Sequence, residues 1–114
     1  MNELVERLST GDHPVTVGGP TPSAEELRRR VEEIGVVFVK FTQTRGGTDL
    51  GITADRDACD LSGADFEQGT GTVHVEGTVI LNYDPVRCIA DIDLATLNGT
   101  GHLVVVDQSE VAVA

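Results

Sequence analysis

TVHVEGTVILNYDPVRCIADIDLATLNGTGHLVVVD, residues 72–107, decides the fold of this 114-residue chain. Apolar and polar side chains alternate along it, which is typical of strands with one buried face. Asp84-Pro85 and Asn98-Gly99 divide the stretch at dipeptides that favour tight turns, and Asn-Gly is the preferred dipeptide of a type I′ hairpin. These features predict a three-strand antiparallel meander, with strands at residues 72–83, 86–97 and 100–107.

One amphipathic helix is predicted ahead of the strands, at residues 23–35. Ser23 begins a capping box, because its side chain can accept a hydrogen bond from the amide of Glu26. Gly35 stands where a helix commonly ends on a left-handed glycine. An apolar stripe recurs at helical spacing and is formed by Ala24, Leu27, Val31 and Ile34.

The other segments predict shorter elements of the same single domain, since 114 residues suit one hydrophobic core. Residues 36–54 alternate in period two around Gly46-Gly47 and predict a hairpin, and Val15–Val17 could add a short strand. The acidic, small-residue segment that follows favours a loop with one helical turn near Ala64–Phe66, mobile enough to act as a lid. The domain therefore divides into 1–22 (an N-terminal helix and a Pro/Gly-rich loop), 23–35, 36–54, 55–71 and 72–107.

Together these elements predict an α+β fold. We expect a mainly antiparallel, curved sheet of about five strands, a hairpin plus the meander, packed on one amphipathic helix. A strongly twisted sheet of this kind would curl into a half-barrel around a cavity.

The charge balance limits the classes of partner. Lys and Arg number 8 against 19 Asp and Glu, so the net charge is −11. Binding to a phosphate backbone needs clustered Lys and Arg, and anionic lipid surfaces attract the same residues. We therefore expect neither a nucleic-acid partner nor a membrane, whereas a basic protein partner would suit the acidic surface.

The apolar runs are too short for a membrane span, since Val36–Val39 and Leu103–Val106 fall far below the ~20 residues that a bilayer needs. Residues 1–9 carry charged side chains where a signal peptide would be apolar. We expect a cytoplasmic protein in which Cys59 and Cys88 stay reduced. Arginine far outnumbers lysine, which is typical of a high-GC bacterial sequence.

The two faces of the meander differ in chemistry. Alternation places side chains such as Val73, Val75 and Leu103 on one face, which we expect to be the core. The opposite face mixes aliphatic side chains with two histidines and three carboxylates. These five candidate site residues are His74, Glu76, Asp91, Asp93 and His102.

The turns set which of these residues are neighbours. Two-residue loops at both dipeptides would align His74 with His102 and place Glu76 opposite Asp93, a destabilising pair of like charges. A type I turn over Asp84–Arg87 would instead shift the first pairing by two residues. Either turn leaves the same residues on the same face.

Cofactor motifs are incomplete along the chain. Counted from Asp55, an EF-hand would need a glycine and a glutamate where Asp60 and Phe66 stand. Gly69-Thr70-Gly71 precedes a strand rather than a helix, so it does not match a dinucleotide loop. The histidines and carboxylates lack a diagnostic metal spacing, and Cys59 would need a histidine base to act as a nucleophile. We expect no cofactor and no metal.

Two function classes fit the mixed face. The first is a small cofactor-independent enzyme of the cyclase, isomerase or dehydratase (lyase) type, with an apolar small-molecule ligand held by the curled sheet. Asp91 or Asp93 would be the acid or base, tuned by Glu76, while His74 and His102 place or transfer protons. The alternative is a non-catalytic accessory or binding protein whose acidic surface and mixed face hold a basic protein partner or a second copy in a homodimer.

Overall fold

A computed structural model describes residues 3–19, 22–44, 46–81 and 84–106. The fold is α+β with a mainly antiparallel sheet, as the sequence predicts. The helices are α1 (Glu3–Leu8) and α2 (Ala24–Arg29), and α2 continues into a π-helical turn (Arg30–Ile34). The strands are β1 (His13–Val17), β2 (Val36–Phe41), β3 (Thr48–Ala54), β4 (Ala64–Asp65), β5 (Thr70–Leu81), β6 (Asp84–Asp93) and β7 (Asn98–Val105).

The sheet closes into a barrel of six strands, so the prediction of a five-strand half-barrel is wrong. Neighbouring strands follow the order β3-β2-β1-β7-β6-β5, and β3 pairs with β5 to complete the circle. The prediction did not include the position of β1 in the sheet. Val15 pairs with Phe41 of β2 on one side and with Gly99 of β7 on the other, so β1 joins the hairpin to the meander.

A glycine lies where the barrel closes. Gly77 of β5 pairs with Ala54 of β3, and a Cβ at this glycine would lie 2.5 Å from the carbonyl oxygen of Thr53. The two backbones can approach this closely only because residue 77 has no side chain.

Apolar side chains fill the barrel. The helices contribute Val5 and Leu8 from α1 and Leu27 from α2, all buried. Among the described residues, no buried side chain is polar or charged. The space that a half-barrel would offer to a ligand is therefore the protein's own core. Leu94 adds to this core from the turn after β6, and the strand residues of the core are Val15, Val17, Val37, Val39, Phe41, Leu50, Ile52, Val73, Val75, Val86, Cys88, Ala90, Ile92 and Leu103.

The predicted helix is confirmed at its start and altered at its end. The Ser23 side chain accepts a hydrogen bond from the amide of Glu26 at 3.0 Å, and Gly35 ends the π-helical turn with φ of 84°. This wider turn rotates Ile34 off the apolar stripe, so its side chain is 43% exposed. Among the described residues, no helix is long and apolar enough to cross a membrane.

The turn predicted at Asp84-Pro85 is wrong, and residues 82 and 83 lie outside the part of the chain that the structure describes. Leu81 pairs with Asp84, so residues 82 and 83 separate β5 from β6, and Asp84-Pro85 belongs to β6. The shift lets Val86 pair with Val79 and lie in the core instead of following a turn.

The second turn of the meander is also misplaced in the prediction. Asn98-Gly99 lies within β7, and residues 94–97 make the connection. Asp93 forms this turn, because its carboxylate accepts from the Ala95 amide at 2.9 Å and its carbonyl accepts from the Leu97 amide at 2.7 Å. Leu97 adopts the left-handed φ of 62°. Gly99 instead permits close approach to the backbone of Asp91.

The acidic segment is fastened along β5. The amide of Asp60 donates to the carbonyl of His74 at 2.8 Å, and the His74 amide donates back at 3.0 Å. Further along, Ala64 and Asp65 form β4 and pair with the start of β5, so the helical turn predicted at Ala64–Phe66 is wrong. As a strand, β4 can form backbone hydrogen bonds with β5, whereas a helical turn would use those donors and acceptors within itself.

Candidate functional site

The outer face of β5, β6 and β7 carries the predicted polar residues in a different register. Both turns moved the pairing by an even number of residues, so side chains kept their faces and changed their neighbours. His74 lies opposite Asp91, and Glu76 lies in the row of His102. The predicted opposition of Glu76 and Asp93 is wrong.

His74 is held between two carboxylates. Its Nδ1 lies 2.7 Å from Oδ1 of Asp91, and its Nε2 lies 2.7 Å from Oε2 of Glu76. Ionised carboxylates only accept hydrogen bonds, so both contacts are satisfied when both ring nitrogens donate, as they do in the imidazolium form. The imidazolium thus keeps two acidic side chains of β5 and β6 close together.

Arg87 extends the same chain of contacts. Its Nε donates to Oε1 of Glu76 at 2.9 Å, and its Nη2 donates to Oδ2 of Asp55 at 2.9 Å. The charges alternate in sign from one end to the other, with three carboxylates and two cations. We call this set the charged network: Asp55, Arg87, Glu76, His74 and Asp91.

The contacts in the charged network shift the acid–base equilibria of its members. The hydrogen bond to Glu76, followed by that to Asp91, raises the pKa of His74 above 6.5. The hydrogen bond from His74, followed by that from Arg87, holds the pKa of Glu76 below its ordinary value, against an opposing effect of burial. Arg87 likewise lowers the pKa of Asp55. Each shift favours the charged form, so the network resists proton transfer within it.

Two of the five predicted site residues lie outside the charged network. His102 instead has Nδ1 3.3 Å from Oδ1 of Asp12, an exposed carboxylate before β1. Asp93 uses its carboxylate in the turn between β6 and β7. The structure therefore brings together His74, Glu76 and Asp91, and leaves Asp93 and His102 in other roles.

The sequence reasoning missed two members of the charged network. Alternation along residues 86–97 also places Arg87 on the outer face, although the pattern alone predicts no role for it, and Asp55 lies in the segment predicted as a loop. A basic side chain on a face rich in carboxylates was the available signal, because such a residue seldom stays unpaired when partly buried. Asp55 became a neighbour only through closure of the barrel, which the sequence did not predict.

Cys59 lies behind the charged network. Its Sγ is 3.4 Å from the amide nitrogen and 3.5 Å from the carbonyl oxygen of Glu76. Burial raises the pKa of the Cys59 thiol, and the carboxylates of Asp55 and Glu76 add to that effect. The thiol is therefore held in its protonated form, which is the unreactive one.

Aliphatic side chains surround one end of the charged network. Ile80 is 57% exposed and Val104 is 41% exposed, and Val104 pairs across the ladder with Arg87. Two partly buried side chains on the same face complete the surface. We call it the outer apolar patch: Ile80, Ile89, Val104 and Val106.

Other features of the described surface do not involve the charged network. Within residues 3–19, 22–44, 46–81 and 84–106, no group of histidine, cysteine and carboxylate side chains is arranged to hold a metal ion. A groove of about 480 Å³ lies between α2 and β4, and its lining includes Phe66, over which the Arg28 guanidinium lies at 5.5 Å. A second groove of about 380 Å³ lies beside α1 and is lined by Glu3, Leu4, Arg7, Thr44 and Thr48.

No protein-family model matches the chain, and no curated protein matches it either. The site must therefore be interpreted from its own geometry.

Proposed function

We propose that this protein is a non-catalytic binding protein that holds a basic protein partner on the outer face of β5, β6 and β7. The observation that carries the proposal is the juxtaposition on one face of the charged network and the outer apolar patch. Ile80 and Val104 are exposed beside the network, and apolar side chains next to charged ones are typical of protein interfaces.

The overall charge supports a basic partner. With a net charge of −11, the protein attracts a cationic surface from a distance and repels nucleic acid and anionic membranes. It also repels a second copy of itself, which makes the homodimer the weaker alternative. We also propose that the protein is cytoplasmic, where Cys59 and Cys88 would remain free thiols.

The interior argues for binding outside the barrel. A substrate chamber needs polar groups that orient a ligand within a concave site. Here the buried side chains among the described residues are all apolar, and the charged network lies on the convex outer wall.

The test uses a fluorescent peptide of alternating lysine and valine, titrated with the protein at low ionic strength. We expect saturable binding that weakens as salt is added. Ile80→Ser together with Val104→Ser should weaken binding about tenfold, because these side chains lose apolar contact area. The control is Ile34→Ser, which changes another exposed isoleucine, on the π-helical turn. Absence of binding, or equal loss in both variants, would contradict the proposal.

Acid–base catalysis is the second candidate, and the carboxylates at 2.7 Å from both nitrogens of His74 favour it. In this case the enzyme would be of the cyclase, isomerase or dehydratase type. The same two bonds also weigh against it, because a general base needs a ring nitrogen with a free lone pair.

The protonation state of His74 separates the two candidates. Nitrogen-15 chemical shifts of its ring should report an imidazolium at neutral pH if the histidine fastens the surface. A neutral ring at the same pH would favour the enzyme, since it could then accept a proton.

A further inference from the structure

The wall of the barrel opens between β3 and β5. The ladder between these strands is two residue pairs long and ends at Thr53 and Thr78. Gly51 and Ile80 are the next residues that would exchange hydrogen bonds, and they are not paired with each other. We call this opening the seam.

The backbone of β3 presents a free edge to the seam. Ala54 donates its amide to Gly35 at 2.8 Å on the β2 side, so the even-numbered residues of β3 bond to β2. The odd-numbered residues point to the other edge, where the amide of Asp55 donates to the carbonyl of Glu76 at 2.8 Å. Gly51 belongs to this second set. Its amide and carbonyl therefore face the seam with no strand partner among the described residues.

We propose that an extended, basic segment of the protein partner adds as a strand to the edge of β3 at Gly51. This mode of docking rests on the proposed function and specifies where and how the partner binds. Main-chain hydrogen bonds to an exposed edge supply affinity in strand addition, and alternate side chains supply specificity. The side chains on one face of the added strand would contact Ile80, which is exposed across the seam.

The acidic net charge of the protein suits lysine or arginine in the added strand. Asp49 is exposed on β3, but its carboxylate accepts a hydrogen bond from the Gly19 amide at 3.3 Å, so it is directed across β2 and away from the seam. The groove of about 380 Å³ at the start of β3 carries charges of both signs, since Glu3 and Arg7 line it together with Thr48. A basic side chain next to an apolar one would therefore be attracted by the net charge of −11 and would contact the exposed side chain of Ile80.

The experiment is amide hydrogen exchange measured by NMR on the full chain, with and without the lysine–valine peptide. The Gly51 amide should exchange fast in the free protein and slow by at least about tenfold in the complex. The amide of Ile52 is the internal control, because it bonds to β2 in both states. The matched control peptide carries N-methyl groups on alternate residues, which removes the hydrogen bonds on one edge and should abolish the protection.

Each of the other outcomes contradicts strand addition, the proposed function, or both. A Gly51 amide that is already slow in the free protein means that the seam is occupied by the chain itself. Peptide binding that depends on Ile80 and Val104 but leaves the Gly51 amide unchanged refutes strand addition and keeps the proposed function. Absence of peptide binding refutes both.

Discussion

The two edges of β5 are held in different ways. On the β6 side, a continuous ladder runs from Thr72 opposite Asp93 to Leu81 opposite Asp84. On the β3 side, the ladder is two pairs long, and the amide of Asp55 adds one further bond to Glu76. Side chains strengthen this second edge, since the Arg87 guanidinium crosses β5 from β6 to reach Asp55.

The difference shows that a barrel can be closed with few backbone bonds when particular side chains and a glycine complete the junction. A long ladder tolerates single substitutions, because many neighbouring bonds are left in place. The short junction depends on a few residues, so we expect it to fail at those residues first. The following predictions test this contrast, beginning with the largest effect.

Gly77→Ala should break the short junction. The new Cβ would lie 2.5 Å from the carbonyl oxygen of Thr53 and 3.1 Å from Cδ1 of Ile52, so β3 must move away. We expect a loss of about 2–3 kcal/mol in the free energy of unfolding, as for overpacked cores, measured by urea denaturation. Gly63→Ala is the control, because its Cβ would meet only the Thr72 carbonyl at 3.2 Å. Equal losses in both variants would show that closure does not depend on Gly77.

Arg87→Met should weaken the same junction by less. It keeps most of the side-chain length but removes the cation shared by Glu76 and Asp55, which leaves two partly exposed carboxylates with fewer partners. The expected loss in the free energy of unfolding is about 1 kcal/mol. Arg28→Met, which breaks exposed ion pairs within the helical segment and the contact with Phe66, should cost less. If the Arg28 variant were the less stable of the two, the junction would not depend on Arg87.

The pH dependence of stability should show a small contribution from His74, below about 1 kcal/mol, because the ring is partly exposed. Folding raises the pKa of His74 above 6.5, so its contribution is complete below 6.5 and is lost as pH rises through the raised value. Urea midpoints measured across this range should fall for the wild type and stay flatter for His74→Gln. His102→Gln should behave like the wild type; a flat wild-type profile would refute the role of His74.

The sequence predicted the elements of the fold better than their connections. Alternation gave the correct faces for His74, Glu76 and Asp91, because face membership depends only on odd and even positions. The capping residue Ser23 and the terminal Gly35 were also correct, since both act within one turn of helix. Each of these signals depends on residues that are close together in the sequence, so the tertiary fold is not needed to interpret it.

The predictions that are wrong concern contacts between residues that are far apart in the sequence. Asn98-Gly99 satisfies the rule for a tight turn, but Asp93 and Leu97 form an alternative turn that buries Leu94 at the barrel end. Closure of the barrel depends on a short strand, β1, whose five residues carry little signal of their own. The contacts within the charged network could not be predicted for the same two reasons, because they depend on the strand register and on closure of the barrel.

The two cysteines lie in different environments, so their reaction with a thiol reagent can report two different events, global unfolding and local opening. Cys88 is fully buried in the barrel, and burial raises its pKa to about 12, so a thiol reagent can reach it only after global unfolding. Cys59 belongs to the acidic segment, is half-buried against the backbone of Glu76, and becomes accessible when that segment alone lifts from β5. The ratio of the two labelling rates therefore measures how much more often the short edge of β5 opens than the whole protein unfolds.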